Sequence, residues 1–489
     1  MSYKIKYFIK HTFIYGISNV ATKASGIVLL PLYTSYLSLG DFGVLGLLDA
    51  TIFIAIEFIS LGQGQALVML NNSEEYSTTR KEMFFTIFSF SVSICLIFML
   101  LGFLIIPEIV AIFSFQKIYL TYLKIILIII SLRVLNSILL NKIRADEESV
   151  KYTAYSVIKL FLLIAAAFYF LVIREMGLIG ILYSYIISDL LILVFMLLTQ
   201  LGKFKFYFEP SIIRVAVAFG LPLVFGSIAM MLLNLSDRYI IKIFMNDEMV
   251  GLYDLGYRFA GVLNMFIIMP VSLTLLPYAY KIYKKGNDKK FYSKLLSYFT
   301  MTLVWIGLGL SLFSKEIIRV FVLNPSFWPA YKLVPIIVLA YVFFGMRIIS
   351  SLGMYLTKKT KFVALTTIIA ATINIVLNII FIPIYGITAA AFTTLISFLI
   401  LYFLSYYYSN KYYVIPFENF KLVKIIFLGI VFYFLSDFFI ELNSTVSIIS
   451  KTMLLVLFPF ALLMIRCIDI SEVKKWKEYL ISYTNSKSD

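Results

Sequence analysis

Long apolar runs follow one another along the chain, each closed by a short break of charged, Asn or Gly residues. The runs are apolar on every side rather than along one stripe, and most exceed the roughly 20 residues that carry a helix across a bilayer core. A membrane barrel would instead show strands of about 10 residues that alternate apolar and polar positions. The breaks predict helices over 12–38, 44–70, 83–106, 117–141, 152–173, 177–200, 213–245, 249–280, 292–314, 331–356, 362–383, 386–409, 421–440 and 446–466. The expected fold is all-α, a polytopic membrane protein of about 14 transmembrane helices.

Composition agrees with the pattern. The 489 residues are 62% hydrophobic and 14% charged, against roughly 45–50% and about 25% in soluble domains. No stretch is left for a sizeable soluble domain. Lys4, Lys6 and Lys10 precede a first apolar run too long for a signal peptide, so that run reads as a retained helix. The formal net charge of +16 is mostly a topology signal. With the N-terminus on the cytoplasmic side, the inner breaks hold 28 Lys and Arg and the outer breaks hold 5, the asymmetry that the positive-inside rule demands. Both termini are therefore expected in the cytoplasm. Nucleic-acid binding explains the charge poorly, because it is dispersed over eight inner segments. The basic tail 467–489, with Lys474, Lys475 and Lys477 beside Trp476, reads as a surface helix. Two cysteines, Cys95 and Cys467, and one histidine, His11, give neither a disulfide framework nor metal spacing. A P-loop, a nucleophile elbow and a His/carboxylate cluster are all missing, which disfavours a membrane enzyme such as a polysaccharide polymerase.

An internal repeat runs through the chain. Phe42-Gly43-Val44-Leu45-Gly46-Leu47 is echoed 208 residues later by Val250-Gly251-Leu252-Tyr253-Asp254-Leu255, and Gly177-Leu178-Ile179-Gly180 is echoed at nearly the same offset by Gly386-Ile387-Thr388-Ala389. The repeat predicts two parallel six-helix lobes, 1–200 and 213–409, joined by a cytoplasmic linker 201–212 and followed by two more helices in 410–466.

Three stretches then carry a family resemblance. They are Leu29-Leu30-Pro31-Leu32-Tyr33-Thr34-Ser35-Tyr36-Leu37 running into Asp41-Phe42-Gly43; Phe219-Gly220-Leu221-Pro222-Leu223 followed by Ser236-Asp237-Arg238-Tyr239; and Asn374 and Asn378 followed by Ile382-Pro383-Ile384-Tyr385-Gly386 and Ala389-Ala390-Ala391. In this order, with the 6+6+2 layout, the chain resembles the Wzx-type polysaccharide flippases for O-antigen and capsule units. These belong to the multidrug/oligosaccharidyl-lipid/polysaccharide exporter superfamily. Thr388 stands where the third pattern usually has a glycine. The resemblance implies a V-shaped pair of six-helix bundles working by alternating access in a bacterial inner membrane. The cargo would be an undecaprenyl-diphosphate-linked oligosaccharide, and the partners would include membrane lipids, a polysaccharide polymerase and a chain-length regulator. An ion-coupled drug or small-cation antiporter of the same superfamily is the nearest alternative.

Nine Lys and Arg fall inside predicted helices, where a charge near the helix centre costs roughly 2.5–3.5 kcal/mol. Lys124, Lys242 and Lys451 lie near helix ends and are expected to snorkel. Lys23, Arg133, Lys159, Arg238, Arg258 and Arg347 lie deeper. Together they are expected to form an anion site for a diphosphate, whose oxygens match the guanidinium fork. The intramembrane acids Asp49, Glu57, Asp237 and Asp254 are candidates for ion coupling or gating by H⁺ or Na⁺, and Asp189 is a further partner for a cation. Asp254 and Arg258, four apart, can pair on one helix face. Asp237 and Arg238, adjacent, must point to different neighbours. Pro31 and Pro222, in the opening helix of each lobe, are candidate hinges. No cofactor beyond a coupling ion is expected.

Overall fold

The computed structural model describes residues 26–112, 117–283, 289–436 and 444–467. Lys23, His11, most of the first predicted helix and nearly all of the basic tail lie outside the described residues. Every regular element among the described residues is helical. In chain order these are α1 (Leu30–Tyr36), α2 (Leu39–Ser60), α3 (Gln63–Asn71), α4 (Arg80–Ile112), α5 (Lys117–Ala145), α6 (Ser149–Phe168), α7 (Gly177–Gln200), α8 (Pro210–Phe244), α9 (Asp247–Leu263), α10 (Met269–Tyr283), α11 (Lys289–Leu312), α12 (Ser314–Phe321), α13 (Val334–Ser350), α14 (Leu352–Leu356), α15 (Thr360–Tyr412), α16 (Asn419–Leu435) and α17 (Ser444–Met464). Wider π turns, Tyr169–Ile173 after α6 and Asn264–Ile268 between α9 and α10, keep those helices running on.

Eleven of the described helices are long and apolar enough to cross a membrane. One of them, α15, has 53 residues, about 80 Å at 1.5 Å per residue and far more than one bilayer. Gly386 interrupts it with φ 65°, so α15 is two passes, as the predicted break between 383 and 386 anticipated. The chain is thus an all-α, multi-pass membrane protein of about 14 helices.

The predicted second helix, 44–70, is not one helix. Leu61 and Gly62 both adopt left-handed backbone, φ 47° and 69°, and separate α2 from α3. Left-handed backbone costs a non-glycine residue about 1–2 kcal/mol, so something must hold Leu61 there. Close packing supplies it. A Cβ built on Gly62 would lie 2.5 Å from the Gly220 Cα on α8, and one built on Gly220 would lie 2.4 Å from the Leu61 carbonyl oxygen. Backbone here meets backbone, the contact that small residues permit between membrane helices. Pro222, inside α8, sits two residues from this crossing, whereas Pro31 occupies the first turn of α1.

Contacts divide the chain into two units, one of Met1–Arg258, Val320–Ala330 and Ala364–Ser397, the other of Phe259–Arg319, Tyr331–Val363 and Phe398–Asp489. They are not the repeat lobes, which stay an inference from sequence. In the first unit, Leu67, Phe84, Ile138, Leu139, Met196 and Ala216 from α3, α4, α5, α7 and α8 form one apolar core. The segment after α7 is fastened along the start of α4. Phe204 stacks on Phe84 with centroids 4.6 Å apart, and Thr86 Oγ1 accepts from the Glu209 amide at 3.0 Å. Beside it Lys203 reaches Asp146 at 2.7 Å and Glu148 at 3.0 Å, and Lys142 reaches Asp146 at 2.6 Å. In the second unit, Tyr292 Oη donates to the Ala279 carbonyl at 2.9 Å and Trp305 Nε1 to the Leu455 carbonyl at 3.0 Å. Two lysines expected to snorkel have ionic partners instead. Lys242 meets Asp247 and Lys451 meets Glu316, each at 2.5 Å.

The glycine crossing makes a stability prediction. Gly220→Ala forces backbone apart and should cost about 1–3 kcal/mol, read as a lower thermal midpoint of the detergent-purified protein. Gly226→Ala on the same helix, with nothing within 4 Å of the added Cβ, should leave it unchanged.

The Asp146 network makes a pH prediction. Burial would raise the Asp146 carboxyl, but the hydrogen bonds and charges of Lys142 and Lys203 outweigh it and hold it below its ordinary value. Glu148 is likewise lowered by Lys203 and Lys151 against its burial. Carboxyls depressed in the folded state contribute stability above their unfolded values near 4, and lose it as pH falls through the folded ones. Acidification below about pH 4 should lower the midpoint, and Asp146→Asn should shrink that pH dependence.

Candidate functional site: three buried charge clusters

The first unit gathers most of the intramembrane charges into three clusters. On α9, Asp254 is 3% exposed. Its Oδ1 accepts from Arg238 Nε at 2.8 Å and Nη2 at 2.7 Å, and its Oδ2 accepts from Arg258 Nε at 2.6 Å. Arg258 then reaches across to α2, where Nη2 donates to Asp49 Oδ2 at 3.1 Å. Both guanidinium groups also lie over aromatic faces, Arg238 over Tyr257 at 4.8 Å and Arg258 over Phe42 at 5.2 Å. Two arginines and two aspartates leave this cluster with no net charge.

The second cluster is built from three helices. Asp189 on α7, fully buried, accepts from Arg133 Nε of α5 at 2.9 Å and from Lys159 Nζ of α6. Asn136 Nδ2 donates to the Asp189 carbonyl at 2.9 Å, and Arg133 lies 4.6 Å over the Tyr185 ring. The carboxylate is sealed, but the Arg133 and Lys159 side chains are 18% and 26% exposed. One carboxylate facing two cations leaves one positive charge in excess, carried by the groups that remain accessible.

The third cluster has the opposite imbalance. Asp237 on α8 is fully buried, and among the described residues no ion pair includes it. Its oxygens accept instead from neutral groups: Asn378 Nδ2 at 2.5 Å, Thr394 Oγ1 at 2.9 Å and the Tyr253 hydroxyl. Asn374, one turn before Asn378, accepts from it at 3.1 Å. The adjacent Arg238 points away to Asp254, as the 100° step between neighbours requires. Three neutral donors thus satisfy the Asp237 oxygens in place of an ion pair.

The other expected residues fall elsewhere. Glu57 is half-buried on α2, and among the described residues no ion pair includes it. Arg347, buried near the end of α13, belongs to the second unit. Of the deep cations, Arg133 and Lys159 share one carboxylate, and Arg238 and Arg258 share another. Sequence reasoning passed over Asn136, Tyr253 and Thr394. The four-residue spacing of Asn374 and Asn378, visible in the third family stretch, was the available signal for the Asp237 environment.

Close to the first cluster, the repeat becomes a contact. A Cβ on Gly43 would lie 1.8 Å from the Asp247 carbonyl oxygen, and one on Gly251 would lie 2.4 Å from the Leu39 carbonyl oxygen. Each glycine thus faces the carbonyl four residues before its repeat mate, so α2 and α9 cross reciprocally.

Residues 8–283 match the family described as polysaccharide biosynthesis protein. The chain belongs to that family. Among curated relatives, it is 23% identical over 259 residues to an uncharacterized membrane protein of Methanocaldococcus jannaschii, covering 51% of this chain and 48% of that one. It is 24% identical over 185 residues to the probable low-salt glycan biosynthesis flippase Agl15 of Haloferax volcanii, covering 37% and 39%. The matched segments thus span less than half of each relative. Among solved structures, the lipid II flippase MurJ in an inward closed conformation superposes with TM-score 0.71 at 17% identity, over 94% of this chain and 99% of that one. An inward-facing multidrug resistance MATE family transporter of the MOP superfamily superposes with TM-score 0.63 at 15% identity, over 83% and 95%. At these identities the likeness to the solved structures is one of fold.

Asp189 supplies the sharpest test of the clusters. Asp189→Asn takes the sealed carboxylate from two partly exposed cations, a loss that for a fully buried pair costs about 3–5 kcal/mol and is smaller where water reaches the cations. The thermal midpoint should fall, and Lys159→Met in the same chain should restore part of it.

Proposed function

We propose that this protein is a flippase for lipid-linked oligosaccharides, of the undecaprenyl-diphosphate class, moving them from the cytoplasmic to the outer leaflet of a cell's inner membrane by alternating access. The observation that carries this reading is the uneven charge around Asp189. Arg133 and Lys159 share one sealed carboxylate and keep accessible edges. A diphosphate brings at least two negative charges and can take over the hydrogen bonds that the cations do not spend on Asp189. Around Asp254 the charges cancel and Arg238 is 5% exposed, so Arg258, 18% exposed, is the guanidinium of that cluster for which an arriving phosphate competes. The polyprenyl tail stays in lipid while the headgroup crosses on these cations. Membership of a polysaccharide biosynthesis family and likeness to proteins named as flippases support the same cargo class.

Alternating access needs one face to open while the other closes. The reciprocal Gly43–Gly251 crossing of α2 and α9 is a tight, dry contact of the kind a closed face requires, and the Arg258–Asp49 bond spans the same pair of helices. Pro222 beside Gly220 is the bending point in this reading. Asp237 is the coupling site. Its shell of Asn378, Thr394 and Tyr253 accommodates Na⁺ or a proton without a competing lysine or arginine bond. That shell also favours the ion-coupled antiporter as a second reading, and cargo decides between them.

Proteoliposomes loaded with a fluorescent lipid-linked oligosaccharide test the proposal. The native chain should expose the label to an external quencher. Arg133→Gln and Arg258→Gln should each slow this about tenfold or more, the worth of a charge-assisted hydrogen bond, at normal protein levels. Asp237→Asn should abolish acceleration by a Na⁺ or H⁺ gradient. Export of a cationic dye, with no movement of the lipid-linked sugar, would replace the flippase with the antiporter.

A further inference from the structure

The second unit contains a basic cavity where the start of α16 meets the end of α17. It encloses about 370 Å³ and is lined by Glu418, Lys421, Lys424, Phe420, Arg466 and Cys467. That is the low end of the roughly 300–1,000 Å³ typical of small-ligand clefts. Its three cations face one carboxylate, for a net charge of +2. Glu418 is already engaged, by the Ser297 hydroxyl at 2.7 Å and by Lys421 at 3.0 Å. Lys424 sits with its ammonium 4.6 Å over the Phe420 ring, and Arg466 is exposed. Among the described residues Lys424 and Arg466 have no carboxylate partner, and both line the cavity.

An apolar track begins at Phe420 in the cavity lining. Phe420, Val423 and Phe427 are 75%, 63% and 65% exposed and spaced three and four apart, so they share one face of α16. A soluble anion has no use for such a track, whereas a lipid needs both parts: a cationic seat for its phosphate and an apolar wall for its chains. The cavity also lies on the side of the membrane that the Lys and Arg asymmetry assigns to the cytoplasm, where anionic lipids are recruited by basic residues at helix ends.

We propose that this cavity, made of none of the residues of the three charge clusters, is a binding site for the phosphate headgroup of an anionic membrane phospholipid, with the acyl chains laid along Phe420, Val423 and Phe427. Lys424 and Arg466 hold the phosphate by charge-assisted hydrogen bonds, and the phosphate draws the ends of α16 and α17 together.

Native mass spectrometry of the full-length, detergent-purified protein tests it, with phosphatidylglycerol, chain-matched phosphatidylcholine and inorganic phosphate as probes. Phosphatidylglycerol should bind more tightly than phosphatidylcholine, and excess phosphate should not displace it. Lys424→Gln with Arg466→Gln should weaken phosphatidylglycerol binding roughly tenfold, from about fivefold for each surface charge less mutual screening, and leave phosphatidylcholine unaffected. Where the double variant is not monodisperse, Lys424→Gln alone should give about a fivefold loss. Undiminished phosphatidylglycerol binding by a monodisperse variant would overturn the assignment. Displacement by free phosphate would overturn it too, leaving a site for a soluble anion.

Discussion

A charge at membrane depth must find a counter-charge, a shell of hydrogen bonds or water, because hydrocarbon supplies none of them. The first unit meets this constraint three times with three different balances. Around Asp254 the charges cancel. Around Asp189 one positive charge is left over, and around Asp237 a carboxylate takes its hydrogen bonds only from neutral groups. A scaffold that needed only rigidity would gain from replacing such groups by apolar side chains, which often stabilise a core as well or better. Keeping the surplus cation on accessible side chains while sealing its carboxylate makes sense for a protein that meets an anion. Keeping an acid among hydroxyls and amides makes sense for one that takes up a small cation or a proton.

The same constraint explains which parts of the fold the sequence disclosed. Helix number followed from run length, since the bilayer sets a length that each run must match. The Asp254–Arg258 pair followed from a spacing of four, because local geometry alone brings those side chains together. Asp189 as the shared acid had no such signature: Arg133, Lys159 and Asp189 come from α5, α6 and α7, and only the packing of three helices unites them. The division of the second predicted helix at Leu61 was equally hidden. Gly62 in an apolar run is compatible with an unbroken helix, and the cause of the break lies on another helix, at Gly220, some 158 positions away. Local patterns announce local contacts, while breaks imposed by a neighbour stay silent until that neighbour is placed.

The repeat shows how one backbone plan can yield an asymmetric site. Gly43 and Gly251 occupy corresponding positions, and each admits the carbonyl that precedes its mate by one turn, so the crossing of α2 and α9 is close to two-fold symmetric. Three residues further on the symmetry is broken. Gly46 corresponds to Asp254, and a Cβ on Gly46 would lie 3.1 Å from the Asp254 Cγ. The glycine in one copy leaves the space that the aspartate of the other occupies. Two aspartates here would set like charges against each other in a low dielectric, and two glycines would leave Arg238 and Arg258 without their common acceptor. Symmetry gives the helices a contact tight enough to exclude water. Departure from symmetry one turn deeper gives them a carboxylate that holds two arginines, and the gap between those two requirements is a single side chain.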